Sequence, residues 1–365
     1  MKSPNIGQDL AELETPTLLI DLDLFESNIR QLYSFCNDNG KAWRPHSKAN
    51  KSPEIARLLI DHGAIGITCA KLSEAELMVE HGIQSILLAN QIVSPGKFAT
   101  LAQLQRRAEV IAAIDNIAVV KAMGAAAISA KTTIPILIEL DIGLKRVGIE
   151  PGEKTLALAK AVCGQDGLEF RGLMGYEGHV LNISPPADKQ AACHQAMDLL
   201  IQSKALLEEN GIEVEIVSAG GTGSYEISGL HEGITELQAG GGIFMDAMYR
   251  QALHVESLEQ ALTVLATVTS RSTDHVVLDA GFKTLSSYHH PPEVLDRDDL
   301  SFSYLSAEHG VFAINPGCDG PALGEQLRLL VGYSDSTTFL HDHFVAIRNG
   351  RVEKIWDISG RGLIR

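Results

Sequence analysis

At 365 residues the chain exceeds the usual reach of one hydrophobic core, so it reads as a large domain plus a smaller one. Its 45% hydrophobic content, 5% aromatic content and 33 glycines are those of an ordinary globular α/β protein and exclude a disordered or fibrous chain. A formal charge of −16 repels phosphate, which excludes general affinity for nucleic acid or anionic membrane and leaves room only for a local basic pocket.

The opening MKSPNIGQDLAELE lacks the apolar core of a signal peptide, and no apolar run reaches the roughly 20 residues that cross a bilayer, so a cytoplasmic protein is expected. Residues 1–16 carry too little apolar content for a core element and are read as an arm laid against the smaller domain. From 17 to 252, short aliphatic runs alternate with longer amphipathic ones, the pattern of repeated strand–helix units. Eight strand candidates can be counted: 41–49, 64–70, 85–91, 109–115, 135–143, 170–179, 215–221 and 234–240. Helices such as SPEIARLLIDHG and SEAELMVEHG, each with serine before the helix and glycine after it, fit between them. Eight such repeats predict a (β/α)8 TIM-like barrel rather than an open doubly wound sheet. Over 253–365 the pattern changes to close-set strands, among them TVLATVTSR, HVVLDAG, QLRLLVGY, FVAIRNG and RVEKIWDI, which predicts a C-terminal β domain. Cys36, Cys69, Cys163, Cys193 and Cys318 are scattered without CxxC spacing, and the odd count reads as reduced, inert thiols. Trp43 and Trp356 read as packing residues.

In such a barrel the chemistry collects where strands end and βα loops begin. Lys48 ends the first strand, in RPHSKANKSPEIA, where a desolvated amine becomes nucleophilic near neutral pH. Lys51, beside a helix start, reads as solvated or phosphate-steering, and spacing alone does not choose between the two. Arg146, in DIGLKRVGIE after the fifth strand, offers either a permanent cation for an oxyanion or cofactor oxygen, or a rim salt bridge. After the seventh strand, SAGGTGSYE brings Gly220, Gly221 and Gly223 together with the hydroxyls of Thr222 and Ser224. Glycine N–H groups at that place in a barrel read as a phosphate cradle, with a plain turn as the alternative. A Schiff-base lysine with a phosphate cradle is what pyridoxal 5'-phosphate requires of its host.

Residues 15–365 resemble the D-threonine aldolase and D-serine dehydratase family, the fold type III relatives of alanine racemase. The stretches that carry the resemblance are TPTLLIDLD, RPHSKANKSPEIA, LSEAE, DIGLKRVGIE, AGGTGSYE, TELQAGGGIFMD, LDAGFK, AEHGV and the final LHD with WDISGRG. By resemblance Lys48, fourth after the arginine of its motif, is the cofactor lysine. Arg146 would contact the cofactor or orient that lysine, Tyr176 in YEGHV would flank the ring, and Gly221, Thr222 and Gly223 would hold the phosphate. Gln238 would lie near the pyridine nitrogen, where alanine racemases carry arginine; a neutral amide leaves the ring a weaker electron sink.

Two departures stand out. Family members bind a divalent metal, zinc or manganese, through a His-x-Asp or His-x-Cys pair. In GYSDSTTFLHD the aspartate is kept as Asp335, but Tyr333 replaces the histidine, and a neutral phenol is a poor metal ligand. His341 and His343 are possible substitutes. Aldolases of the family also carry a histidine base near the position of Asn182; here His179 stands three residues earlier. It reads equally as a proton-exchanging imidazole or as a rim residue bonded to backbone. His46 braces the lysine loop, and His309 is structural or a partner-chain contribution.

The resemblance implies a lyase that opens the Cα–Cβ bond of a D-configured β-hydroxy amino acid by retro-aldol cleavage, with Lys48, His179 and Tyr176 in catalytic roles. Elimination of water as in D-serine dehydratase, racemisation with Lys48 and a partner chain's tyrosine, and a pyridoxal-phosphate carrier without turnover are the alternatives. So is a cofactor-free Schiff-base aldolase. The expected partners are a small amino-acid substrate and a second copy of the chain in a homodimer.

Overall fold

The computed structural model describes residues 4–365 in two compact units. The first unit comprises residues 4–31, Ala49–Ile55 and Gly241–Gly362, and the second comprises Leu32–Lys48, Ala56–Gly240 and Leu363–Arg365.

The first unit opens with β1 (Thr17–Asp21), whose Leu18, Leu19 and Ile20 are all buried. The expectation that residues from 17 onward enter the barrel differs from this placement. A run apolar on both faces needs neighbours on both sides, and β1 finds them between two strands of the other sheet.

In the second unit the next eight strands run parallel: β2 (Ala42–Trp43), β3 (Ile67–Cys69), β4 (Ser85–Leu88), β5 (Glu109–Ile114), β6 (Ile134–Leu140), β7 (Leu168–Gly175), β8 (Ile216–Ala219) and β9 (Glu236–Leu237). Their order β2-β9-β8-β7-β6-β5-β4-β3 is that of a (β/α)8 barrel, and a bridge between His46 and Thr68 links the two ends of the row. All eight predicted strands are present, each ending before its predicted C-terminal bound. The first is cut to two residues because Pro45 has no N–H to donate and residues 47–49 turn into a 3-10 helix. Every position of β6 is buried, as expected for a parallel strand covered on both faces. Leu87, Ile111, Ala113, Leu137 and Met174 form one interior cluster. The helices after β2 and β3 run Pro53–Asp61 and Leu72–Glu80. Ser73 lies inside the second rather than capping it. Its start is closed instead by the Glu74 carboxylate, which accepts from the N–H groups of Ala70 and Lys71 at 2.9 and 3.2 Å.

The remaining strands belong to the first unit: β10 (Leu262–Arg271), β11 (His275–Leu278), β12 (Glu293–Val294), β13 (Leu300–Leu305), β14 (Gly310–Ile314), β15 (Gln326–Leu330), β16 (His343–Arg348) and β17 (Arg351–Asp357). β1 pairs antiparallel with β10 and parallel with β16, so an N-terminal strand lies inside the C-terminal sheet. Of the arm expected over 1–16, residues 1–3 lie outside the described residues. Gly7 N–H donates to the Val352 carbonyl and Val352 N–H to that of Gln8, at 2.8 and 2.9 Å. Leu13 joins a cluster with Leu19, Leu265, Val345, Ile347 and Val352. Phe25 contacts Phe244 and Trp356, whose ring is buried as expected. Asp246 is fully buried, and burial pushes its carboxyl up to about 7. No helix among the described residues is long and apolar enough to cross a membrane.

Candidate active site

Because the eight barrel strands are parallel, their C-terminal ends share one face, and the second unit collects its unusual polar residues there. Lys48 follows β2 in a tight turn and is half-buried. Its backbone N–H donates to Nδ1 of His46 at 3.2 Å, while Ser47 Oγ donates to the Thr68 carbonyl at 3.0 Å. His46 thus braces the turn with an unprotonated Nδ1. Gly240 completes the seat: a Cβ there would stand 2.3 Å from the His46 carbonyl oxygen, so only glycine permits this approach. Trp43 is buried beside it and donates Nε1–H to the Ala239 carbonyl at 2.8 Å. Lys51 belongs to the first unit, in a left-handed backbone conformation with φ of 49°.

Beyond β6 and β7, Arg146 and Tyr176 meet. The guanidinium lies 5.6 Å from the centre of the Tyr176 ring, and the two residues line one small crevice with Glu139. Arg146 is 4.0 Å from Glu139 Oε1. Glu139 is buried and also accepts from Gln91 Nε2 at 2.6 Å. Burial raises its pKa, while the Gln91 bond and the Arg146 charge act the other way. His179 is exposed in the short turn Gly178–Val180, with its imidazole packed over Gly143.

The glycine loop follows β8. Thr222 is buried there, and a Cβ on Gly221 would stand 2.9 Å from the Tyr176 ring, so the loop backbone lies directly against the aromatic face. Glu177, fully buried and next to Tyr176, supports the loop from behind. It accepts from Ser224 Oγ at 2.6 Å, from Ser228 Oγ and from Gly220 N–H at 3.4 Å. At the end of β9, Gln238 donates Nε2–H to Ser218 Oγ at 3.0 Å; Ser218 donates to Glu236 at 2.7 Å, and Glu236 pairs with Arg44 Nε at 2.8 Å. The serine has one proton, directed to the carboxylate, so Gln238 must be the donor in its own bond, which fixes its amide orientation.

Glu139, Glu177, Arg44 and Glu236 were missed in the sequence. Only Glu139 carried a signal, as the one charged residue of the otherwise apolar strand β6.

These residues fit pyridoxal phosphate. The set holds a primary amine, a cation over an aromatic ring, a glycine and threonine loop where a Cβ would intrude, and an oriented amide, all at one barrel mouth. The first unit does not offer a matching fit for a divalent metal. Tyr333 Oη donates to Asp335 Oδ2 at 2.8 Å, and no cluster of three or more His, Cys, Asp or Glu suited to a metal exists among the described residues. His341 directs Nε2 to the Thr284 carbonyl at 2.7 Å, His343 begins β16, and His309 is exposed on the turn between β13 and β14.

Residues 20–248 match the family model "Alanine racemase, N-terminal domain", and residues 261–347 match "Putative serine dehydratase domain". The chain is 39% identical to a D-threonine aldolase from Arthrobacter sp., over 98% of this chain and 96% of the relative. It is 34% identical to a 3-hydroxy-D-aspartate aldolase from Paracoccus denitrificans, over 98% and 94%. The crystal structure of D-threonine aldolase from Filomicrobium marinum superposes with a TM-score of 0.96 at 36% identity, covering 100% of both chains.

Proposed function

This chain belongs to the D-threonine aldolase and D-serine dehydratase family of fold type III pyridoxal-phosphate enzymes, and on that premise we propose how it acts as a lyase on a D-configured β-hydroxy amino acid. The reaction is retro-aldol cleavage, giving glycine and an aldehyde. The observation that carries the reading is the gathering of Lys48, Arg146, Tyr176, the 221–223 loop and Gln238 at the C-terminal ends of parallel strands. Pyridoxal phosphate, when bound, supplies the sink for the electron pair left by the broken Cα–Cβ bond.

The chain's own residues do the rest. Lys48 would hold the cofactor through Nζ. Gly221, Thr222 and Gly223 bind the phosphate, and Glu177 keeps the shape of their loop. Arg146, steadied by the Tyr176 ring and Glu139, keeps its charge for a cofactor oxygen. Gln238, its amide oriented by Ser218, would lie near the pyridine nitrogen. His179 takes the proton of the substrate's β-hydroxyl as general base, and Tyr176 flanks the reacting atoms. The reading extends to a cytoplasmic homodimer. All five cysteines are free, which fits a reducing compartment, and burial pushes the Cys36 and Cys193 thiols up to about 12, which leaves them inert.

The purified protein is expected to be yellow and to be bleached by borohydride, and Lys48→Ala to lose the trapped adduct. Incubation with D-threonine should release glycine and acetaldehyde. Ammonia and a keto acid in their place would replace cleavage by dehydration, and an adduct that survives in Lys48→Ala would move the attachment elsewhere.

A further inference from the structure

We infer that the turn carrying Tyr333 and Asp335 works as a phenol–carboxylate pair and is not a divalent-metal site. Tyr333 Oη–H is directed at Asp335 Oδ2, 2.8 Å away, so a cation at that oxygen would have to displace a proton donor. As the donor in that bond the phenol carries its proton, and a neutral phenol coordinates zinc or manganese poorly.

The ring cannot easily swing aside. Tyr249 packs against it edge-on at 6.3 Å between centroids, and His289 does so at 5.3 Å. The backbone is fixed as well. Buried Asp246 accepts from Ser334 N–H at 2.8 Å and from Tyr249 N–H at 2.9 Å, while Ala247 and Met248 donate to the carbonyls of Val331 and Gly332, each at 3.1 Å. The nearby alternative His341 has Nε2 committed to the Thr284 carbonyl. Thus the replacement of histidine by tyrosine is built into the turn through its rings, its hydroxyl and its backbone. In the proposed lyase, on whose reading this inference rests, this turn supplies no divalent cation.

The test is metal binding by the holoenzyme, which does not depend on turnover. The protein is stripped with EDTA, desalted and dialysed to equilibrium against MnCl2 and, separately, ZnCl2, and bound metal is counted by mass spectrometry. Wild type should retain no stoichiometric metal, and its activity should be unchanged by EDTA. Tyr333→His, which creates a His-x-Asp pair, should gain stoichiometric binding, and adding Asp335→Asn should abolish that gain. Stoichiometric metal on wild type that Asp335→Asn removes would overturn the inference, as would activity that appears only with added metal. A folded Tyr333→His variant without gain would show that the tyrosine is not the determinant and would overturn it too. Should that variant fail to fold, wild type against Asp335→Asn decides the matter. Absence of turnover on every D-β-hydroxy amino acid would sink the lyase reading while leaving the binding result to stand by itself.

Discussion

Glu139 shows how one residue ties stability to the site. It lies in a strand with no exposed position, and burial raises its pKa against the opposing effects of Gln91 and Arg146. The folded chain therefore keeps the proton to a higher pH than the unfolded chain does. Stability from this group is fully present below the ordinary carboxylate range of about 4 to 4.5 and is lost as pH rises toward the folded value. Glu139→Gln has no proton to lose there. Its melting temperature should gain on wild type as pH is raised from that range toward neutrality, and a gap that stays constant with pH would contradict the assignment. The strand PILIEL was readable as buried, and its single acidic residue was the clue that something polar must answer it. The answering groups were not readable, because Gln91 is 48 residues away and nothing local points to it.

At the scale of elements, the glycine loop depends on a carboxylate from the neighbouring strand end. Glu177 gathers two serine hydroxyls and the Gly220 N–H, so removing it orphans donors in a buried place. Orphaned buried groups cost about 1 to 3 kcal/mol each, so Glu177→Ala should lower unfolding free energy by about 2 to 4 kcal/mol and loosen the cradle. Pyridoxal-phosphate affinity, read by absorbance titration, should fall at least about tenfold, equivalent to 1.4 kcal/mol. An unchanged affinity in a folded variant would remove Glu177 from the account of the cradle. The loop itself was legible from its glycines and its place after the seventh strand. Its support was not, since Ser224 and Ser228 lie 47 and 51 residues beyond Glu177. The relay from Gln238 through Ser218 to Glu236 and Arg44 was hidden for the same reason: it joins β2, β8 and β9, which meet only when the barrel forms.

At the scale of the molecule, sequence order and spatial order part company at β1. The run TLLID is not among the eight strands counted from the sequence: a short continuous aliphatic stretch marks burial but not which sheet takes it, because both units offer apolar neighbours. In the fold it lies between β10 and β16, with Thr17 opposite Leu265 and Leu19 opposite Val345. Withdrawing it would leave two facing strand edges without partners and remove Leu18, Leu19 and Ile20, exposed by only 1%, 0% and 0%. Burial of three such side chains contributes about 5 to 9 kcal/mol, comparable with the whole stability of a domain. A fragment of residues 253–365 should therefore lack a cooperative thermal transition, whereas fusing residues 4–31 to a fragment of residues 241–362 should restore one. Cooperative melting of the shorter fragment by itself would show that the sheet closes without its N-terminal strand.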